Sequence, residues 1–151
     1  MFAGGKTGPS ACKKADDDHD GGVLYRRNVA GASDVLNEGY VTYSNEAKQR
    51  LVHVKAETLE RFGAVSEETA REMAAGAAKA AGSDVAISAT GIAGPGGGTK
   101  ETPVGTVFMG CCYKGKAIAK EFHFTGNRMR IREQTTAHAL AMLRDCIIMS
   151  R

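Results

Sequence analysis

From residue 23 onward, apolar positions recur at intervals that distinguish helix from strand. In 66–82 (SEETAREMAAGAAKAAG), Ala70, Met73, Ala74, Ala77 and Ala81 fall at helical spacing, which predicts a helix. Ser66 can cap its first turn, Glu67 and Glu68 suit the positive end of its dipole, and Gly82 closes it. Its inward face is nearly all alanine, so close approach to a neighbour is expected. Residues 45–52 carry helical types, with Ala47, Leu51 and Val52 as the apolar side, and 58–62 read as a helical turn ended by Gly63. The last helix is predicted over 128–148, with Ile131, Thr135, His138, Met142 and Leu143 on or near one face.

Strand character appears in 38–43 (EGYVTY), 84–90 (DVAISAT), 104–113 and 117–124. The link Tyr113-Lys114-Gly115-Lys116 suits a hairpin between the last two. Cys111 and Cys112 are neighbours in a strand, so their side chains are expected on opposite faces. Strands and helices alternate early and a hairpin follows. That order predicts an α/β domain over 23–151, a mixed sheet covered by helices on both faces.

Residues 1–22 break the pattern. They lack apolar periodicity, are dense in Gly, Lys and Asp, and read as an irregular segment. Gly5-Lys6-Thr7 resembles the end of a phosphate-binding loop, but the required earlier glycine has no room and no strand is expected before it.

Composition narrows the class. The chain has 151 residues, 42% hydrophobic and 25% charged, as in an ordinary single globular domain. A net charge of +3 gives no reason to expect nucleic acid or an anionic membrane as partner. No apolar stretch is long enough to span a bilayer, and no secretory signal or transit peptide is expected. The cysteines, Cys12, Cys111, Cys112 and Cys146, show no metal-ligand spacing. They are expected to be reduced, in a cytoplasmic setting.

Three stretches could carry chemistry. Thr90, Gly91, Ile92, Ala93, Gly94, Pro95 and Gly96 open a glycine-rich run that continues to Gly98 directly after a strand. Such a turn lets backbone approach a ligand, and its N–H groups can hold an anion. Glycine content alone equally describes a flexible connector; the interior Pro95 favours an ordered loop. In 41–48, Tyr43 ends a strand and Lys48 follows about one helical turn later. A lysine there is either a solvated surface group or, if burial lowers its pKa, a general base. Arg128, Arg130 and Arg132 open the last helix, where they would suit a phosphate or form a solvated basic face. The four histidines are scattered and form no ligand pair.

YSNEAK at 43–48, GAVSEETA at 63–70, TGIAGPGGGTKETPVGTV at 90–107 and GNRMRIRE at 126–133 resemble the CinA carboxy-terminal family, which includes nicotinamide mononucleotide deamidase. The blocks stand in the family's order and spacing over roughly residues 31–143. The resemblance implies a three-layer α/β/α sandwich, a homo-oligomer or hetero-assembly, and hydrolysis of the carboxamide of nicotinamide mononucleotide to nicotinate mononucleotide and ammonia. It implies a serine nucleophile and a lysine, with no metal and no cofactor. Carried onto this chain, Lys48 is the base and Tyr43 its supporting hydroxyl. The 90–98 turn lines the pocket for the pyridine mononucleotide, with Thr106 and Arg128 as further pocket residues.

The family's nucleophile lies in an ESCTGG block after a helix and the first strand. The nearest match here is DDHDGG at 17–22, which puts Asp18 in the serine position. The helix and strand have no counterpart in residues 1–16, and Ser10 and Cys12 sit in unrelated context. An aspartate beside Lys48 would form an ion pair rather than act as the nucleophile. Deamidation by the chain as written is therefore expected to be very low or absent. The alternative is a catalytically inactive nucleotide-binding or structural subunit of the same fold. A missing first strand would leave a gap in the sheet, a reason to expect a partner. At 151 residues, no room is expected for the amino-terminal pyrophosphatase domain that many members carry.

Overall fold

The computed structural model describes residues 2–5, as a backbone course, and 30–149. The elements are β1 (Phe2–Gly5), a 3₁₀ turn (Ala32–Asp34), β2 (Leu36–Gly39), α1 (Asn45–Val52), α2 (Ala56–Phe62), α3 (Glu67–Ala80), β3 (Ser83–Gly91), β4 (Thr106–Tyr113), β5 (Lys116–His123) and α4 (Arg128–Ile148). Side-chain oxygens hold three helix starts. Ser44 accepts from the Ala47 amide at 3.1 Å, Ser66 from Thr69 at 3.2 Å and Asn127 from Arg130 at 2.9 Å. Gly63, at φ 77°, ends α2 as the sequence predicts.

The sheet order is β2-β1-β3-β4-β5. The α/β layering stands, but each described pairing is antiparallel, not mixed. The cause is the connections. The β3–β4 link returns beside its own strand without a crossover helix, and β4–β5 is a tight hairpin. In that hairpin Lys114 (φ 46°) and Gly115 (φ 80°) both take positive φ. This is the mirror-image turn that matches strand twist.

Two sequence expectations change. Phe2–Gly5, inside the segment read as irregular, is a strand between β2 and β3, so it fills the expected gap. Its four residues have no alternation to read; their pairing comes from a neighbour on each side. The strand expected over 38–43 is instead Leu36–Gly39. Gly39 pairs with Phe2, and beyond that register β1 offers no further described partner. Residues 6–29, which include Ser10, Cys12 and the 17–22 block, lie outside the described residues.

The helices form two layers. α1–α3 cover one face of the sheet, where Val52, Leu59, Met73, Ala74, Ala77, Ala86 and Cys112 are buried together. α4 covers the other, enclosing Ile87, Val107, Met109, Cys111, Phe124, Ile131, Met142 and Leu143. Cys111 and Cys112 thus face opposite layers, as their adjacency predicts. Buried methionines occur in all three layers, Met73 in α3, Met109 on β4 and Met142 in α4, whereas Met129 and Met149 are exposed.

The alanine face of α3 does permit close approach. A Cβ on Gly110 of β4 would lie 2.2 Å from the Ala70 carbonyl oxygen, and one on Gly76 would lie 1.7 Å from that of Val52. Ser88 Oγ bridges the first contact, donating to the Ala70 carbonyl at 2.6 Å and accepting from the Gly110 amide at 3.2 Å. The strand register also orients the site. Gly5 pairs with Ser83 at the start of β3, and Leu36 with Gly4. The chain therefore leaves β1 and enters β2 at the sheet end opposite the glycine-rich turn.

Candidate active site

The glycine-rich turn grows directly out of β3 and is held from several directions. Thr90 Oγ1 donates to the Ala64 carbonyl at 2.7 Å, which ties the end of β3 to the α2–α3 link. The Ile92 amide donates to the Thr106 carbonyl at 2.9 Å, and the Gly105 amide to the Ile92 carbonyl at 2.7 Å. Ala93 packs against the core beneath α4. Gly94, at φ 73°, is buried, and a cis peptide joins it to Pro95. Arg128, the first residue of α4, donates from Nη1 to the Gly94 carbonyl at 3.0 Å. Pro95 and Gly96 form the exposed tip.

Two glycines are required by contact. At Gly91 a Cβ would stand 2.7 Å from the Thr106 carbonyl oxygen, and at Gly105 (φ 98°) it would stand 1.9 Å from that of Phe124. The two limbs of the β3–β4 link therefore touch backbone to backbone at Gly91, and at Gly105 the link touches the backbone just after β5. This is an ordered loop, not a flexible connector. Its bonds account for Thr90, Ile92, Gly94, Thr106 and Arg128 as one assembly.

Thr106 is buried at the start of β4. Its Oγ1 lies 3.5 Å from His123 Nδ1, and His123 Nε2 lies 3.2 Å from a Glu121 carboxylate oxygen. Sequence reading missed this contact, because the cross-strand register Thr106↔His123 is what creates it. A threonine and a histidine seventeen residues apart carry no such signal until the hairpin is placed.

Lys48 belongs to the other helical layer, on α1. It is only 6% exposed. Its Nζ donates to the Thr42 carbonyl at 2.7 Å, and no side chain among the described residues bonds it. Burial pushes its pKa below the ordinary lysine value. Tyr43 is 92% exposed at the link into α1. Lys48 therefore meets the Thr42 backbone rather than the Tyr43 hydroxyl. No hydrogen bond or ion pair among the described residues joins Lys48 to the 90–98 turn. Among them, no cluster of three His, Cys, Asp or Glu could hold a metal ion. No described helix is long and apolar enough to cross a membrane.

The family model of the CinA C-terminal domain matches residues 21–147. A Clostridium novyi protein designated competence-damage inducible is 55% identical over 130 residues, covering 85% of this chain and 31% of that protein. A CinA-like protein of Kosmotoga olearia is 52% identical over 121 residues, covering 80% and 29%. The chain thus spans about a third of the length of these relatives. Among solved structures, the competence damage-inducible protein A of Klebsiella pneumoniae superposes with a TM-score of 0.80 at 35% identity, covering 84% of this chain and 79% of that one. Its counterpart from Agrobacterium tumefaciens gives 0.77 at 41% identity, covering 82% and 78%. With the family model matched over most of its length and the fold shared with the solved structures, this chain belongs to the CinA C-terminal domain family.

Proposed function

We propose that the domain is a nicotinamide mononucleotide amidase-like protein. Its 90–98 turn, Thr106 and Arg128 line a pyridine mononucleotide pocket, and Lys48 is the proton acceptor. The observation that carries this reading is Lys48 itself, a buried lysine with a lowered pKa and, among the described residues, no carboxylate partner. In a Ser–Lys amidase the lysine takes a hydroxyl proton, the oxygen attacks the carboxamide carbon, ammonia leaves, and water cleaves the resulting ester. The ordered backbone of the turn would supply the N–H groups that hold the oxyanion and the anionic end of the substrate.

A second reading, binding without turnover, has its own support. Lys48 Nζ meets a backbone carbonyl, with no hydroxyl bonded to it among the described residues. β1 also carries the chain away from the turn rather than toward it. Deamidation by this chain is therefore expected to be very low or absent while the mononucleotide still binds. Calorimetry with nicotinamide mononucleotide, paired with an ammonia-release assay, separates the outcomes. Heat of binding without ammonia fits the expectation. Ammonia at an ordinary enzymatic rate, abolished by Lys48→Ala, restores the active enzyme. No binding at all sinks the nucleotide pocket.

A further inference from the structure

Two threonines hold neighbouring carbonyls of the short link between α2 and α3. Thr90, at the end of β3, donates from Oγ1 to the Ala64 carbonyl at 2.7 Å. Thr69, in the first turn of α3, donates from Oγ1 to the Gly63 carbonyl, also at 2.7 Å. Thr69 has no solvent exposure, and Ser66 beside it is buried. Ser66 Oγ lies 3.0 Å from Thr69 Oγ1 and 3.1 Å from the Gly63 carbonyl oxygen, and it accepts from the Thr69 amide at 3.2 Å. The first turn of a helix has free N–H groups and needs acceptors. A capping box supplies them with Glu or Gln at the place Thr69 occupies. A hydroxyl whose proton points out of the helix answers no need of the helix itself; it fixes the link. An added Cβ at Gly63 would meet nothing within 4 Å, so packing does not hold the link at that point.

We propose that Thr69 is a positioning residue for the pocket, acting through Gly63, Ala64 and Thr90 on the glycine-rich turn and so on affinity for the pyridine mononucleotide. The proposal rests on the reading of that turn as one wall of the pocket. Among the described residues, no hydrogen bond joins Thr69 to the turn directly, so its influence runs through the link. The opposite layer clamps the same turn through Arg128 on the Gly94 carbonyl. Loosening the Thr69 end should therefore free the root of the turn while its tip stays held.

Amide hydrogen exchange on the full chain, followed by nuclear magnetic resonance, tests the path without ligand. Thr69→Val keeps the shape and removes the hydroxyl. It should speed exchange at the Ile92 and Gly105 amides, which close the root of the turn, by about tenfold. The Gly110 amide, bonded to Ser88 Oγ on the same pair of strands, should keep its rate. Thr69→Ser should restore the native pattern. Thr90→Val reads the path from its other end, and decides the matter if Thr69→Val does not fold: exchange at the Thr69 amide should rise. With Thr90→Val already present, Thr69→Val should add nothing at Ile92. Calorimetry then reads the effect on binding: the Kd for nicotinamide mononucleotide should rise about fivefold in Thr69→Val and stay at the native value in Thr69→Ser. Unchanged exchange at Ile92, equal acceleration at Gly110, an effect of Thr69→Val that persists without the Thr90 hydroxyl, or an unmoved Thr69 amide in Thr90→Val would overturn the proposal. Absence of binding by the native chain would overturn the pocket reading alone, because exchange still decides whether Thr69 positions the turn.

Discussion

At the scale of single residues, Lys48 has a thermodynamic signature apart from any catalysis. Burial disfavours its ammonium, so its folded-state pKa lies below the ordinary 10.5. The unfolded chain then binds more protons than the folded one as pH rises through that window. The penalty is full below the folded pKa and is relieved as pH climbs toward the unfolded value. Lys48→Met should therefore raise the urea midpoint at neutral pH, and the gain should shrink as the pH approaches 10.5. A constant gain across that range would mean that packing, not charge, sets the difference. The burial of Lys48 was legible in part. It precedes Leu51 and Val52 by three and four residues, so it shares their apolar stripe. Its bond to the Thr42 carbonyl was not legible, since a backbone acceptor leaves no mark on residue identity. The Tyr43 hydroxyl, the partner that family resemblance supplied, stands instead in solvent.

At the scale of elements, the crossing of α1 over α3 rests on one missing side chain. Gly76 costs α3 helix propensity, and alanine there would gain about 1 kcal/mol in an isolated helix. The Val52 carbonyl, 1.7 Å from where that Cβ would sit, reverses the sign. Gly76→Ala should cost a net of roughly 1–3 kcal/mol as the two helices are forced apart, read by urea denaturation. An unchanged or raised midpoint would show that the crossing can yield. Helices were the most readable elements. The spans predicted over 45–52 and 128–148 coincide with Asn45–Val52 and Arg128–Ile148, because polar caps mark where they start. Strands were less readable, because their limits depend on partners. β2 ends at Gly39, the last of its residues with a described partner in β1, and β1 itself is four residues without a pattern. The antiparallel sense of the sheet likewise depends on links whose direction composition does not encode.

At the scale of the whole molecule, β1 removes one reason to expect a partner chain, since the sheet has no gap at the first strand. Another reason survives. Val41 and Tyr43, two residues apart in the link between β2 and α1, are both exposed, and exposed apolar and aromatic side chains are of the kind used in association. Self-association at micromolar concentration is the expected outcome of light scattering. A single species of 15.9 kDa would count against it. The methionines give the layered architecture a further use. Oxidation of a thioether needs solvent contact, and buried methionines stand in both cores: Met73 on the α1–α3 side, Met109 and Met142 on the α4 side. Met129 and Met149, already in solvent, supply the unprotected rate within the same chain. A peroxide time course followed by peptide mass spectrometry would then clock the opening of each core separately. Equal protection at all three sites would mean that the domain opens as one unit. Faster labelling of Met142 than of Met73 would mean that α4 lifts from the sheet while the opposite layer stays closed.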